Sequence, residues 1–161
     1  MVAALVALLC AASPVVATAH EFADRVLIKK SERKLYLLND DQVIRTMDIT
    51  LGLQPKGDKF EEGDFRTPEG SYRLTERNPA SDFFLSIKIS YPNVGDTRRA
   101  RLSGVSPGGQ IMIHGQPNVP SHPDEYYPIT DWTDGCIAVS NSDMVDLWLM
   151  TRSNTPIKIQ P

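Results

Sequence analysis

Cysteine is almost absent from this chain: its 161 residues hold two, Cys10 and Cys136. Cys10 lies in Met1 to Ala19, a segment without a charged residue, apolar from Val2 to Ala12 and ending on Ala17-Thr18-Ala19. That is the pattern of a signal peptide cleaved before His20. Leu9 stands where lipoprotein signals want a small residue, so Cys10 is read as leaving with the leader. Export of a chain with one remaining thiol excludes an internal disulfide, and cohesion has to come from packing. Pro14 and the small residues after it argue against a membrane span, which needs about 20 apolar residues. There is no basic tract, and the formal net charge is −3 with both signs mixed, which speaks against a nucleic-acid partner. Repeats and low-complexity segments are also missing, so residues 20–161 are expected to form one exported domain.

What is present reads mostly as sheet. Val26 to Lys30 and Lys34 to Leu38 are β-prone runs around Ser31-Glu32-Arg33, and Asn39-Asp40-Asp41 turns into Gln42 to Leu51. In that third run Val43, Met47 and Ile49 share one face, with Arg45 out of pattern, as in a half-buried strand. Gly52 to Asp64 reads as a polar surface loop, Thr67-Pro68-Glu69-Gly70 as a turn into Ser71 to Thr75, and Phe83 to Ser90 as a further strand. Asn93 to Gly109 is expected to be a loop carrying Arg98, Arg99 and Arg101, whose forked guanidinium groups suit carboxylates. Ile111 to His114 is a short strand, Gln116 to Pro128 a proline-rich loop, and Ile137 to Val139 strand again. A cap at Ser140, Asn141 or Ser142 opens a helix whose Met144, Leu147 and Trp148 form a core stripe. Ile157 to Ile159 closes the chain as a strand. The expected fold is mainly β, a sandwich or irregular barrel with one principal helix near the C-terminus.

The thiol that remains, Cys136, is either a small packed hydrophobe or a nucleophile. His114, at the end of an apolar strand, supplies the base that a nucleophile needs, provided the fold brings the two together. A zinc hydrolase built on His114, His122, Asp124 and Cys136 is a competing reading, weakened by the lack of a helical HExxH pair. A third is a wall-binding domain without catalysis.

Three motifs occur in order: Thr67-Pro68-Glu69-Gly70-Ser71-Tyr72, Ile111-Met112-Ile113-His114-Gly115, and Thr133-Asp134-Gly135-Cys136-Ile137-Ala138-Val139. Together they resemble the L,D-transpeptidase catalytic domain, the YkuD-like family, over about Arg25 to Ile159. The stretch Ile87 to Asn93 and the Gly-Cys-x-Ala pattern look like a branch that includes YafK-like proteins. The resemblance implies Cys136 as nucleophile and His114 as base, with the imidazole oriented by the carbonyl of Gly115. It implies Thr133 as the motif hydroxyl, and the amides of Gly135 and Cys136 as oxyanion donors. Many members carry His before Gly-Cys and Arg or Asn two positions after Cys; here Asp134 and Ala138 stand there. Arg98, Arg99, Arg101, Tyr91, Trp132 and Asp134 are the expected substrate contacts, with Tyr126 or Tyr127 as further lining. The implied reaction is acyl transfer through a thioester at diaminopimelate of a peptidoglycan stem peptide, with hydrolysis at the same centre as the alternative. No metal or organic cofactor is called for; the partners are wall peptides and, in one version, a wall-linked lipoprotein. The place of action is the periplasm or the cell wall.

Overall fold

A computed structural model describes residues 21–161; the expected leader with Cys10 lies outside the described residues. The elements in chain order are β1 (Arg25–Lys29), β2 (Lys34–Asn39), β3 (Gln42–Asp48), β4 (Gly70–Ser81), β5 (Phe84–Ile89), α1 (Val94–Leu102), β6 (Met112–His114), β7 (Ile137–Ala138), α2 (Asn141–Met150) and β8 (Pro156–Gln160). Alternation decides the strands: Val26 and Ile28, Leu35 and Leu37, Ile157 and Ile159 point inward while their neighbours stay partly or fully exposed, except Leu38, which is buried as well at the end of β2. Burying one such side chain contributes roughly 1.5–3 kcal/mol.

The strands form one mixed sheet in the order β3-β2-β1-β8-β4-β5-β6-β7. β1, β2 and β3 make the expected antiparallel meander, and the closing strand β8 inserts between β1, to which it is parallel, and β4. β4 is longer than Ser71 to Thr75 suggested, and its register shifts twice against β5, so one strand serves both halves of the sheet. Both halves and α2 feed one core, from Val26 and Leu35 through Ile87 and Ile113 to Met144 and Leu147. The chain just past β3 returns to β7 through the bridges Thr50 to Ala138 and Gly52 to Thr133, which join the sheet's two outer edges. This seam is the barrel-like feature of the fold, and it carries the site.

Two local expectations are corrected. Val43 is 54% exposed, because a bulge opposite Leu37 and Leu38 reverses the facing of β3 ahead of Arg45. Residues 94–102 form a helix, α1, where a loop was expected: Asn93 accepts from the Asp96 amide while Asp96 accepts from the Asn93 amide, a complete capping box. α2 follows the sequence reading, with Ser140 as N-cap accepting from Asp143. Its far end is held by Arg77, which donates to the carbonyls of Trp148 and Thr151 at 2.7 Å each.

Candidate active site

His114 ends β6, where the chain turns at Gly115. Nδ1 of the imidazole lies 2.8 Å from the Gly115 carbonyl, a contact that requires the proton on Nδ1 and leaves Nε2 as an acceptor. The ring packs on Phe83 at 4.7 Å and edge-on to Trp132 at 5.5 Å. It is 4% exposed. Burial without an acidic neighbour lowers its pKa to about 4, against a small opposing pull from the Gly115 carbonyl. A side chain at residue 115 would meet Asn141 Oδ1 at 2.5 Å and Phe84 Cβ at 3.0 Å, so glycine leaves the room that the packing around this turn needs.

Cys136 closes a turn organised by Thr133. The buried Thr133 hydroxyl donates to the Cys136 carbonyl at 2.8 Å and accepts from the Gly135 amide at 3.2 Å. Gly135 has φ +120, and a Cβ there would lie 2.6 Å from the Arg66 carbonyl. One departure from the expected oxyanion pair follows: the Gly135 amide is already engaged inside the turn, and the Cys136 amide makes no bond within it. The thiol is half-buried and faces the Gln110 carbonyl at 3.6 Å. Burial pushes its pKa up, opposed by the Met112 backbone and Lys59, while Asp134 pushes the same way as burial. Both groups are therefore neutral at pH 7, not the thiolate and imidazolium that a direct imidazole contact would favour.

Strand pairing relates the two. β6 and β7 are parallel with Ile113 opposite Ile137 and His114 opposite Ala138. One step earlier in this register, Cys136 falls beside Met112. Since Ile113, Ile137 and Val139 face the core, His114, Cys136 and Ala138 share the opposite face of adjacent strands. No hydrogen bond joins sulfur to imidazole among the described residues; a χ1 rotation of Cys136 away from Gln110 is needed to aim the sulfur elsewhere.

The remaining sequence candidates divide. Trp132 packs between His114, Phe83 and Tyr127, with its indole N–H buried and unpartnered among the described residues. Asp134 is exposed beside Cys136. Tyr91 is corrected from substrate contact to core: it is 4% exposed, packs edge-on to Tyr72 and donates to the Pro107 carbonyl. Arg99, on α1, is tied to Asp58 at 2.7 Å and Asp96 at 2.8 Å, while Arg98 and Arg101 are exposed on the same helix. His122 stacks on Tyr126 at 4.1 Å. No group of three His, Cys, Asp or Glu suited to a metal occurs among the described residues.

Several supports were not legible beforehand. Asp131 accepts from the Leu51 amide and from Arg33, fixing the strand that meets the Thr133 turn. Lys59, 4% exposed, donates to Asp64 and to the Glu61 carbonyl, so the 52–64 segment is a pinned wall and not a loose surface loop. Two clefts flank the site on either side of Tyr127. One of about 470 Å³ includes Phe83, Trp132 and His122; the other, about 530 Å³, includes Thr50, Ala138 and Gln116.

No curated protein sequence matches the chain. Among solved structures it is similar to the helical cell shape determining protein Pgp2 from Campylobacter jejuni, at 29% identity and TM-score 0.62, over 83% of this chain and 46% of that one. Bd1075 from Bdellovibrio bacteriovorus is similar at 29% identity and TM-score 0.59, over 86% of this chain and 48% of the other. The chain thus spans less than half the length of these relatives. An L,D-transpeptidase from Xylanimonas cellulosilytica shares the fold at 18% identity and TM-score 0.54, covering 86% of this chain and 61% of that one. No helix among the described residues is long and apolar enough to cross a membrane. The model of the L,D-transpeptidase catalytic domain, YkuD, matches residues 23–159, and the chain belongs to that family.

Proposed function

We propose that this protein is a cysteine-dependent L,D-transpeptidase that acts on peptidoglycan stem peptides outside the cytoplasmic membrane. The parallel pairing of β6 and β7 supports the reading best, because it sets a half-buried thiol and an oriented imidazole on one face of neighbouring strands. Sγ of Cys136 attacks the carbonyl at the L-centre of diaminopimelate and the amide bond to the leaving residue breaks. His114 Nε2 accepts the thiol proton and delivers it to the leaving amine. The resulting thioester is resolved by an incoming amine, with His114 taking that amine's proton and returning it to sulfur. Since burial disfavours both charged forms, the proton moves during attack and not ahead of it. The Cys136 amide is the local donor to the developing oxyanion. Thr133 acts through the turn it closes, and Trp132 and Asp134 stand where a bound peptide would pass. The likeness to a helical cell shape determining protein agrees with action on a shape-giving polymer such as the wall.

The test is intact mass after exposure to a carbapenem, which acylates a nucleophilic thiol of this kind. An adduct on Cys136 that is lost in Cys136→Ala is expected, whereas an unreacted protein refutes the reading. Digestion of purified cell walls then separates outcomes, since new 3,3 crosslinks mark transfer, and released tripeptides would replace it by hydrolysis.

A further inference from the structure

α1 is packed inside out. The residues it turns inward are Asp96 and Ala100, both buried. Asp96 is held there by three groups: it accepts from the Tyr72 hydroxyl at 3.0 Å and from the Asn93 amide at 2.9 Å, and it pairs with Arg99 at 2.8 Å. With about 100° of turn per residue, Val94, Arg98, Arg101 and Leu102 fall on the opposite side of the helix. Their i, i+4, i+7, i+8 spacing is the one by which helices usually meet a core. Here the row faces water: Val94 is 86% and Leu102 79% exposed, so no element of the described chain covers it.

The charges of the row are free as well. Arg98 and Arg101 are exposed and make no ion pair among the described residues, whereas Arg99 between them is tied to Asp58 and Asp96. No acidic side chain stands in the row, and Glu62, beside the segment that follows the helix, is bonded to the Ser106 hydroxyl. The result is a local positive patch on a chain whose formal net charge is −3. Such a patch selects an anionic partner.

The two aliphatic residues choose among anionic partners. A hydrated acidic polymer offers charge but no apolar phase for Val94 and Leu102. An acidic peptide needs a groove, and no residue of α1 lines either cleft beside the active site. A bilayer with anionic headgroups supplies both charge and an apolar layer, and it accepts a convex helix face without a groove. We propose that the outer face of α1 docks this domain on an anionic phospholipid surface. Arg98 and Arg101 meet the phosphates with their aliphatic stems running inward, and Val94 and Leu102 enter the boundary between headgroups and acyl chains. The row spans about 12 Å along the helix axis, so the contact is peripheral and reversible. It stands apart from the chemistry of Cys136.

Cosedimentation with vesicles at low salt tests this. The protein used is residues 20–161, which hold the whole sheet and core, because the apolar run from Val2 to Ala12 would enter a bilayer by itself. The probes are vesicles of phosphatidylcholine alone, vesicles with about one-third phosphatidylglycerol, and soluble polyglutamate. Binding is expected to the anionic vesicles only, to fall with added salt, and to weaken about fivefold in each of Arg98→Gln and Arg101→Gln. Leu102→Ser should weaken it several-fold, and Val94→Ser repeats that apolar test at the other end of the row. No binding to the anionic vesicles, equal binding to both vesicle types, or variants that bind as the wild type does overturns the proposal. So does polyglutamate bound as tightly as the vesicles with Leu102→Ser making no difference, which would make the row a general anion patch. All four side chains are exposed, so the variants are expected to fold, and their far-ultraviolet spectra check this.

Discussion

Lowering the pH should destabilise this protein through His114, by an amount that burial sets. The imidazole titrates at about 4 in the folded chain, against about 6.5 when unfolded. Between those values the unfolded state binds a proton that the folded state refuses. Stability contributed by the neutral ring is thus present above pH 6.5 and is lost as pH falls toward 4. The full span corresponds to about 3 kcal/mol, and about 2 kcal/mol of it is lost by pH 5. Urea unfolding at pH 7 and pH 5 reads this directly, as a midpoint drop on the order of 1 M. Burial pushes the Asp64 pKa up, but its bonds to Lys59 and to the Phe60, Arg66 and Glu61 amides outweigh that and hold it low, so the stability it contributes is lost only below the ordinary carboxylate range, outside this window. Subtracting His114→Gln isolates the imidazole from any other titrating group, because the glutamine keeps polarity and does not titrate. The wild type should lose about 2 kcal/mol more than the variant between the two pH values. Equal losses, or an imidazole that titrates near 6.5 by NMR in the folded protein, would refute the reasoning.

Because burial raises the Cys136 pKa, alkylation by iodoacetamide should be slower at pH 7 than for free cysteine and should still be rising at pH 9; a plateau below pH 8 would mean a preformed thiolate. Thr133→Val keeps the shape but unties the turn, and should cost about 1–3 kcal/mol in thermal or urea unfolding and slow carbapenem acylation; unaltered acylation would show that the turn does not position the sulfur. Lys30 is 2% exposed and donates to the carbonyls of Gly57 and Thr67 and to Glu69, so Lys30→Met should cost about 3 kcal/mol, with a neutral result in urea unfolding counting against its role as an anchor.

The meander and α2 were legible because their signals are local. Val26 and Ile28 alternate, and Ser140 precedes a stripe of Met144 and Leu147. α1 was hidden because it buries only Asp96 and Ala100, leaving no apolar stripe among its charges; the pairing of Asn93 with Asp96 three residues on was its one signal. Val43 failed because a bulge changes which residues share a face, and a bulge is settled by the partner strand. At the site, the His114 contact to Gly115 lay within one motif and could be anticipated. The anchoring role of Asp131 depends on a segment 80 residues away, while the engagement of the Gly135 amide by Thr133 and the pinning of Lys59 by Asp64 are local but depend on which way side chains turn inside a loop, which no spacing announces.

The meeting of the sheet's outer edges at Thr50 and Ala138 rests on two bridges, where neighbouring strands share whole ladders. A join so thin can part while the ladders hold, as low-energy sub-global openings do in other folds. The turn carrying Cys136, the proposed nucleophile, sits on that join with Leu51, Ile137 and Val139 of the core directly behind it, so a parting there would move the sulfur and loosen that part of the interior together.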